Sequence, residues 1–214
     1  MNIQLQRVAP AEIEQRSMEI IASEMGPTSF TQEQLPIVKR CIHTSADFDY
    51  VKNLRFTAGA VEAGLAAIRA GCTIVTDTQM ARSGINKKVL GKFGGQAVCF
   101  MSDEDVAAEA KARGETRATV SMERAAALTG PVILAVGNAP TALVRACELM
   151  EAGTFSPALV IGVPVGFVNV VESKELLASM PGEHIIAMGR KGGSNIAATI
   201  CNAMLYMASG NARE

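Results

Sequence analysis

The chain has 214 residues, of which 49% are hydrophobic and 19% are charged, so it can bury a core, and we expect a single domain over residues 1–214. Its 20 basic and 21 acidic residues nearly balance, and it has no Trp and no run of Lys and Arg, which argues against a nucleic-acid surface. Its apolar stretches are interrupted by Gly, Pro, Asn or Thr and stay below about 18 residues, so we expect no membrane span.

The first predicted helix begins around Pro10 to Glu12 and ends at Gly26 and Pro27. The residues expected on its buried stripe are Ile13, Ile20, Ile21 and Met25. Ser17 interrupts this stripe with a hydroxyl group. A serine that bonds the carbonyl four residues back is a commoner explanation than a ligand contact, and the residue alone favours it.

The second predicted helix begins with a capping pattern, in which Thr31 is followed three residues later by Gln34. Its core face carries apolar residues at helical spacing, Leu35, Val38 and Ile42. Arg40 and His43 are three residues apart, so their side chains share another face of the helix.

His43, one of two histidines in the chain, admits two interpretations. Imidazole titrates near neutrality, so a histidine beside a guanidinium suits proton donation to a substrate whose carboxylate is held by Arg40. Alternatively, His43 is a polar residue at a helix end, solvated or bonded to a carbonyl group, and the residue taken alone favours this second interpretation. Asp47 and Asp49 favour the charged ring, whereas Arg40 and Lys39 oppose it.

Five short β-prone runs alternate with helical segments along the rest of the chain. They are Cys72 to Thr76, Gln96 to Met101, Val132 to Val136, Ala158 to Gly162 and His184 to Met188. This alternation predicts a three-layer α/β/α fold with a five-stranded parallel sheet covered on both faces.

Ligands of such sheets bind beyond the carboxyl ends of the strands. The segment after the last strand, GRKGGSN at 189–195, opens a helix with free backbone donors, two cations and a hydroxyl group, as expected for a carboxylate or phosphate site. Glycine-rich turns are also ordinary connectors, so this signal alone is weak. The chain lacks a P-loop and a GxGxxG motif after its first predicted strand, which disfavours nucleotide binding.

Two more residues have open roles. Arg117 lies just ahead of a predicted helix, where it could hold a carboxylate in bidentate fashion, although a solvated arginine at a helix start is the commoner case. His184 opens a predicted strand at the end of the sheet opposite the ligand loops, and we interpret it as structural.

The five cysteines are odd in number, widely spaced and without a Cys-x-x-Cys pair. They are typical of buried hydrophobic side chains in a reducing cytosol, and we expect no metal site from them. The N-terminal segment lacks the apolar core of a signal peptide, so we expect a cytoplasmic protein.

Five stretches of the chain, in order, resemble the precorrin-8X methylmutase family. They are EIEQRS at 12–17, VKRCIH at 38–43, VGNAPTAL at 136–143, GVPVGFVNVVESK at 162–174 and GRKGGSN at 189–195. The resemblance implies a flavodoxin-like α/β/α fold, a homodimer and an isomerase of cobalamin biosynthesis. Such an enzyme moves a methyl group between adjacent ring C carbons of a tetrapyrrole, precorrin-8X or cobalt-precorrin-8, giving hydrogenobyrinate or cobyrinate without a cofactor.

The resemblance also implies roles for particular residues. His43 would be the catalytic proton donor and acceptor, and Ser17 and Arg40 would bind the substrate, which reverses the interpretation of Ser17 from the residue alone. Further substrate contacts are expected at Arg117, Arg190, Lys191, Ser194 and Asn195. Two other functions remain as alternatives, a non-catalytic corrinoid carrier and a flavin or nucleotide-binding domain of the same fold.

Overall fold

A six-stranded sheet forms the centre of residues 8–210, the part of the chain that the computed structural model describes. In chain order the strands are β1 Leu54–Phe56, β2 Thr73–Thr76, β3 Gln96–Val98, β4 Val132–Val136, β5 Leu159–Gly162 and β6 His184–Ala187. Strands β2 to β6 are parallel and lie in the order β3-β2-β4-β5-β6, which is the flavodoxin-like order. The predicted α/β class and its five parallel strands are confirmed.

Strand β1 is the sixth strand and is not predicted from the sequence. It pairs antiparallel with β6 at the edge of the sheet, where Leu54 lies opposite Ala187 and Phe56 opposite Ile185. Because it is three residues long, it carries no alternating pattern of its own, and its extended form depends on pairing with a strand far away in the chain.

The helices connect these strands and cover both faces of the sheet. They are α1 Ile13–Glu24, α2 Leu35–Ser45, α3 Tyr50–Asn53, α4 Ala60–Arg69, α5 Gln79–Gly84, α6 Lys87–Lys92, α7 Glu104–Arg113, α8 Arg117–Ala126, α9 Pro140–Glu151, α10 Val170–Ser179 and α11 Ser194–Ala208. Short 3₁₀ turns cover Pro10–Glu12 and Phe100–Ser102.

Consecutive residues of each central strand point to opposite faces of the sheet, as the pleat requires. In β4, Ile133 joins the apolar cluster formed with α2, α4 and α11. Its neighbour Leu134 joins the cluster formed with α8, α9 and α10. The three-layer arrangement is therefore confirmed, with one apolar core on each face of the sheet.

Helix α1 lies against α2 at the margin of the domain, and the expected burial of its apolar stripe is only partly correct. Ile21 is buried and Met25 packs partly against the core. Ile13 and Ile20, however, are 53% and 37% exposed. Only one edge of the helix faces the core, so the rest of its apolar stripe is left at the surface.

All five cysteines are buried and unpaired, as expected of small hydrophobic side chains. Burial raises the pKa of each of these thiols, which disfavours the reactive thiolate. Among residues 8–210, no helix combines the length and the apolar composition that crossing a bilayer requires.

Candidate active site

The loops at the carboxyl edge of the sheet are tied together by Asp77, which directly follows β2 and is buried. Its carboxylate accepts hydrogen bonds from the backbone N–H groups of Gly137, Asn138 and Ala139, at 2.8, 2.7 and 2.6 Å. Burial raises the pKa of Asp77, while these three donors stabilise its charged form. The contacts fix the loop between β4 and α9 at the point where the strand order reverses, the usual ligand position in this fold.

The GRKGGSN loop packs directly against its neighbours. The Ser194 hydroxyl lies 2.8 Å from the Thr78 hydroxyl, and the Gly193 N–H donates to the Val163 carbonyl at 2.8 Å. A Cβ on Gly137 would lie 2.7 Å from the Ser194 Cα atom, so only glycine allows this approach. The loops that follow β2, β4, β5 and β6 thus form one continuous surface.

Lys174 on α10 supports the same loop from beneath. Its side chain is fully buried, and its Nζ atom donates to the carbonyl oxygens of Gly189 and Lys191 at 2.7 and 2.9 Å. Burial lowers the pKa of Lys174 to about 8. Among residues 8–210, no carboxylate pairs with this ammonium group, so its contacts are to the loop backbone.

Lys191 joins the GRKGGSN loop to the turn that follows α2. Its Nζ atom lies 2.6 Å from a carboxylate oxygen of Asp47 and 2.6 Å from one of Asp49. These carboxylates raise the pKa of Lys191, and the ammonium group in turn lowers the pKa of Asp47. The last turn of α2, which carries His43, is therefore held beside the loop.

His43 is exposed on that last turn, and its ring forms no hydrogen bond or ion pair within the described part of the chain. The next residue, Thr44, bonds through its hydroxyl to Thr199 on α11 at 3.0 Å. The helix ends at Ser45, and the next residue, Ala46, caps it in a left-handed conformation with φ of 54°. The imidazole is therefore exposed to solvent on a helix end that is held by Lys191 on one side and by Thr199 on the other.

Arg40 lies one turn before His43 and is half-buried where α1, α2 and α11 meet. Its guanidinium bonds to Glu14 at 3.0 Å and lies 5.1 Å from the centre of the Tyr206 ring. It lines a groove of about 750 Å³ whose other walls include Met18, Lys39 and Tyr206. Burial lowers the pKa of Arg40, although an arginine remains charged at neutral pH.

The reciprocal bonds of the predicted capping pattern are present, because the Thr31 and Gln34 side chains each bond the other residue's backbone N–H, at 3.3 and 3.1 Å. Thr31 is not the N-cap of α2, however, because the helix begins at Leu35 with Gln34 at the N-cap position, and the bonded turn precedes it.

Ser17 behaves as its sequence position alone suggests. Its hydroxyl donates to the Ile13 carbonyl, four residues back, at 2.9 Å. Its oxygen keeps lone pairs that can still accept a hydrogen bond.

Three other predicted contacts lie at the surface. Arg190 stacks over the Phe167 ring at 5.3 Å, and the exposed Asn195 lies over Gly193. Arg117 is exposed at the first position of α8, where Thr116 caps the helix. The neighbours of Arg117 line a cavity of about 320 Å³ with the first turns of α9 and with Asn169 of the loop after β5, so α8 begins near the carboxyl edge of the sheet.

The other histidine, His184, is buried at the amino end of β6, away from these loops. Burial lowers its pKa and so favours the neutral ring. This position agrees with the structural interpretation of His184. Asp77 and Lys174, by contrast, shape the site but are not assigned a role from the sequence.

The strand order and these loops define a class of protein. It is a flavodoxin-like α/β/α protein whose carboxyl edge presents arginines, backbone donors and apolar side chains, with an exposed histidine on an adjacent helix.

Comparison with known proteins identifies the family within this class. The family model for precorrin-8X methylmutase matches residues 12–207. The chain is 46% identical over 201 residues to the cobalt-precorrin-8 methylmutase of Priestia megaterium, covering 94% of this chain and 89% of the relative. It is 38% identical over 195 residues to the precorrin-8X methylmutase of Pseudomonas aeruginosa, covering 90% and 93%. The solved structure of the precorrin-8X methylmutase from Thermus thermophilus has a TM-score of 0.87 and 42% identity, over 94% of this chain and 98% of that one.

The chain belongs to the precorrin-8X methylmutase family, which confirms the resemblance carried by its five sequence motifs. Methylmutases move a methyl group within one molecule, so the predicted enzyme class, an isomerase, is also confirmed.

Proposed function

We propose that this chain shifts a methyl group between adjacent ring C carbons of precorrin-8X or cobalt-precorrin-8, forming hydrogenobyrinate or cobyrinate. The observation that carries the proposal is the family match over residues 12–207, which includes His43 and all the loops of the carboxyl edge. Some relatives are named for cobalt-precorrin-8 and others for precorrin-8X, so the metal-free and the cobalt form of the substrate should be tested side by side.

In the proposed mechanism, His43 acts as imidazolium and protonates or strongly hydrogen-bonds a ring C nitrogen. This draws electron density from the conjugated system, so that one carbon–methyl bond breaks as the bond to the adjacent carbon forms, in a 1,5-sigmatropic shift. The imidazole then takes its proton back, and no atom is gained or lost. The exposed ring of His43, which has no partner within residues 8–210, supports this role because it is available to a substrate.

The proposed substrate carries acetate and propionate arms, and the cations near His43 suit such a polyanion. Arg40, Arg117 and Arg190 would bind carboxylates through charge-assisted hydrogen bonds, with Asn195 nearby. Lys191 uses two of its three ammonium donors on Asp47 and Asp49, which leaves one for a substrate oxygen. Ser17 and Ser194 would contribute the hydrogen-bonding capacity that their internal contacts leave unused.

We also expect the enzyme to act as a cytoplasmic homodimer. The exposed Ile13 and Ile20 on α1, beside the groove that Arg40 lines, support a second copy at this face, because contact with it would remove apolar surface from water. Reducing conditions suit the five unpaired cysteines.

The test is to mix the purified protein with precorrin-8X and, separately, with cobalt-precorrin-8, and to follow the visible spectrum and the mass of the product. We expect a change in absorption without a change in mass, because an isomerase only rearranges atoms. Binding of both compounds without conversion would contradict the proposal and favour the corrinoid carrier. A purified protein that contains a flavin would favour the third alternative.

A further inference from the structure

The loop between β5 and α10 exposes an unusual amount of apolar surface. Val165 is 47% exposed, Phe167 79% and Val168 78%. Met80, which follows β2 at the same edge of the sheet, is 72% exposed. Large exposed apolar side chains grouped in one loop, as Val165, Phe167 and Val168 are, typically mark a binding surface.

This exposure is built into the loop. The Gly193 N–H donates to the Val163 carbonyl at 2.8 Å, and the Gly166 N–H donates to the Arg190 carbonyl at 3.1 Å. Gly166 has φ of 146° and Asn169 has φ of 58°, so the chain turns sharply on both sides of Phe167. The three apolar side chains are thereby held outward beside the GRKGGSN loop.

A cation lies within this apolar surface. The guanidinium of Arg190 stacks on the Phe167 ring at 5.3 Å, and both groups remain exposed. Such stacking holds an arginine side chain in place while its N–H donors stay free for an anion. The surface therefore offers apolar contact and a fixed positive charge to the same ligand.

We propose that Val165, Phe167 and Val168 form an apolar wall of the substrate site, which packs against the face of the macrocycle while Arg190 binds one of its peripheral carboxylates. This inference rests on the proposed function and assigns a role to three residues that the chemistry of proton transfer does not require. A conjugated macrocycle with a carboxylate rim combines a broad apolar face and negative charges at its edge, which is the complement of this surface.

A second copy of the chain is a poorer occupant of the same surface. A two-fold contact centred on Phe167 would place the two copies of Arg190 near each other, and like charges at an interface are unfavourable. Helix α1 also exposes apolar residues, and the cation beside them, Arg16, is paired with Glu19 of the same helix.

The test compares binding of hydrogenobyrinate, the proposed metal-free product, to native protein and to single variants, by titration of the corrin absorption. We expect Phe167→Ser and Val168→Ser each to raise the Kd, by roughly 10- to 100-fold for the larger phenylalanine and less for the valine. Phe167→Leu should stay within about 3-fold of native, since it keeps most of the apolar area. The matched control is Leu176→Ser, an exposed apolar residue two turns along α10, which should bind as native does.

Native affinity in both serine variants would overturn the inference, and conversion by the native protein would show that the proposed function still holds. An effect of Phe167→Ser without any effect of Val168→Ser would also overturn it, because it would indicate that Phe167 only positions Arg190. A third outcome is that Phe167 lies in a contact between two copies of the chain, and light scattering tests this. If Phe167→Ser turned a native dimer into a monomer, the surface would be a contact between copies. If the native protein neither bound nor converted any corrinoid, the proposed function itself would fail.

Discussion

The ammonium group of Lys174 donates a 2.7 Å hydrogen bond to the carbonyl oxygen of Gly189, at the first residue of the GRKGGSN loop. It donates a second hydrogen bond to the carbonyl oxygen of Lys191, two residues further along the loop. Burying an amine without a carboxylate partner is costly, and both bonds offset that cost only while the loop keeps this shape. Lys174 therefore couples the core under α10 to the surface proposed to bind the substrate.

Replacing Lys174 by methionine should destabilise the protein and weaken substrate binding together. The substitution keeps the apolar stem but leaves two carbonyl groups without their donor, at a cost of about 1 to 3 kcal/mol for each that stays unsatisfied. Urea unfolding gives the free energy of unfolding, and corrin titration gives the Kd. Glu175→Met, an exposed neighbour, is the matched control, and equal stability of Lys174→Met and native protein would contradict this role.

The loss of stability in Lys174→Met should depend on pH in a defined way. Burial lowers the pKa of Lys174 from an ordinary value of 10.5 to about 8, so between these pH values the unfolded chain binds more protons than the folded chain. Stability contributed at this site must therefore rise with pH across that window. We expect the difference in unfolding free energy between native protein and Lys174→Met to be level below about pH 7, to grow between about pH 8 and 10.5 and to be level again above that. A level difference throughout would mean that Lys174 titrates as an exposed lysine does.

Asp77→Asn should loosen the loop between β4 and α9. The amide has one acceptor oxygen, so its NH₂ group must face at least one of the three backbone donors that now bind the carboxylate. We expect a loss of at least about 2 kcal/mol in unfolding free energy, since hydrogen bonds to charged groups are the stronger ones. Hydrogen exchange at Asn138 and Ala139 should accelerate, and unchanged protection there would rule out this function of Asp77.

Arg40→Ala should weaken substrate binding more than it slows the bound substrate's conversion. If Arg40 binds a substrate carboxylate as proposed, the substitution removes a charge-assisted contact, which corresponds to a rise of roughly 10- to 100-fold in KM. The control is Arg16→Ala on α1, where the arginine is exposed and pairs within its own helix with Glu19. A fall in kcat at unchanged KM would place Arg40 with the proton-transfer chemistry instead.

Lys191 can be tested for direct contact with the substrate. If its third donor binds a carboxylate, Lys191→Met should raise the Kd more than the double variant Asp47→Asn, Asp49→Asn, which removes only the internal ion pairs. Equal effects of the two variants on corrin titration would show that Lys191 serves only to join the loop to α2.

The features that the sequence predicts are those with a local pattern. The five parallel strands are short apolar runs between turn residues, and the faces of α2 follow from helical spacing, so Val38 and Ile42 are buried and His43 is exposed as expected. The family motifs predict the chemistry only through resemblance, and Ser17 shows how the two kinds of prediction differ. Its contact with Ile13 is the ordinary one that its position suggests, and a substrate contact stays a prediction.

The supporting contacts of the site have no local pattern. Asp77 takes its three donors from the loop after β4, and Lys174 finds its acceptors after β6, so each partnership depends on the order of the strands in the sheet. A buried lysine is also the residue type least expected inside a core. Once the strand order is known, an aspartate directly after β2 marks the point where the strand order reverses, which is the usual ligand position in this fold.

The most direct test of the proposed mechanism is the rate of spectral conversion of precorrin-8X, and of cobalt-precorrin-8, by native protein, His43→Ala and the control Lys52→Ala, an exposed residue on α3. General acid catalysis contributes about 100- to 10,000-fold, so we expect His43→Ala to bind substrate with near-native affinity and to turn it over slower by that order, while Lys52→Ala stays close to native. Conversion by His43→Ala at the native rate would contradict the assignment of His43 as the proton donor.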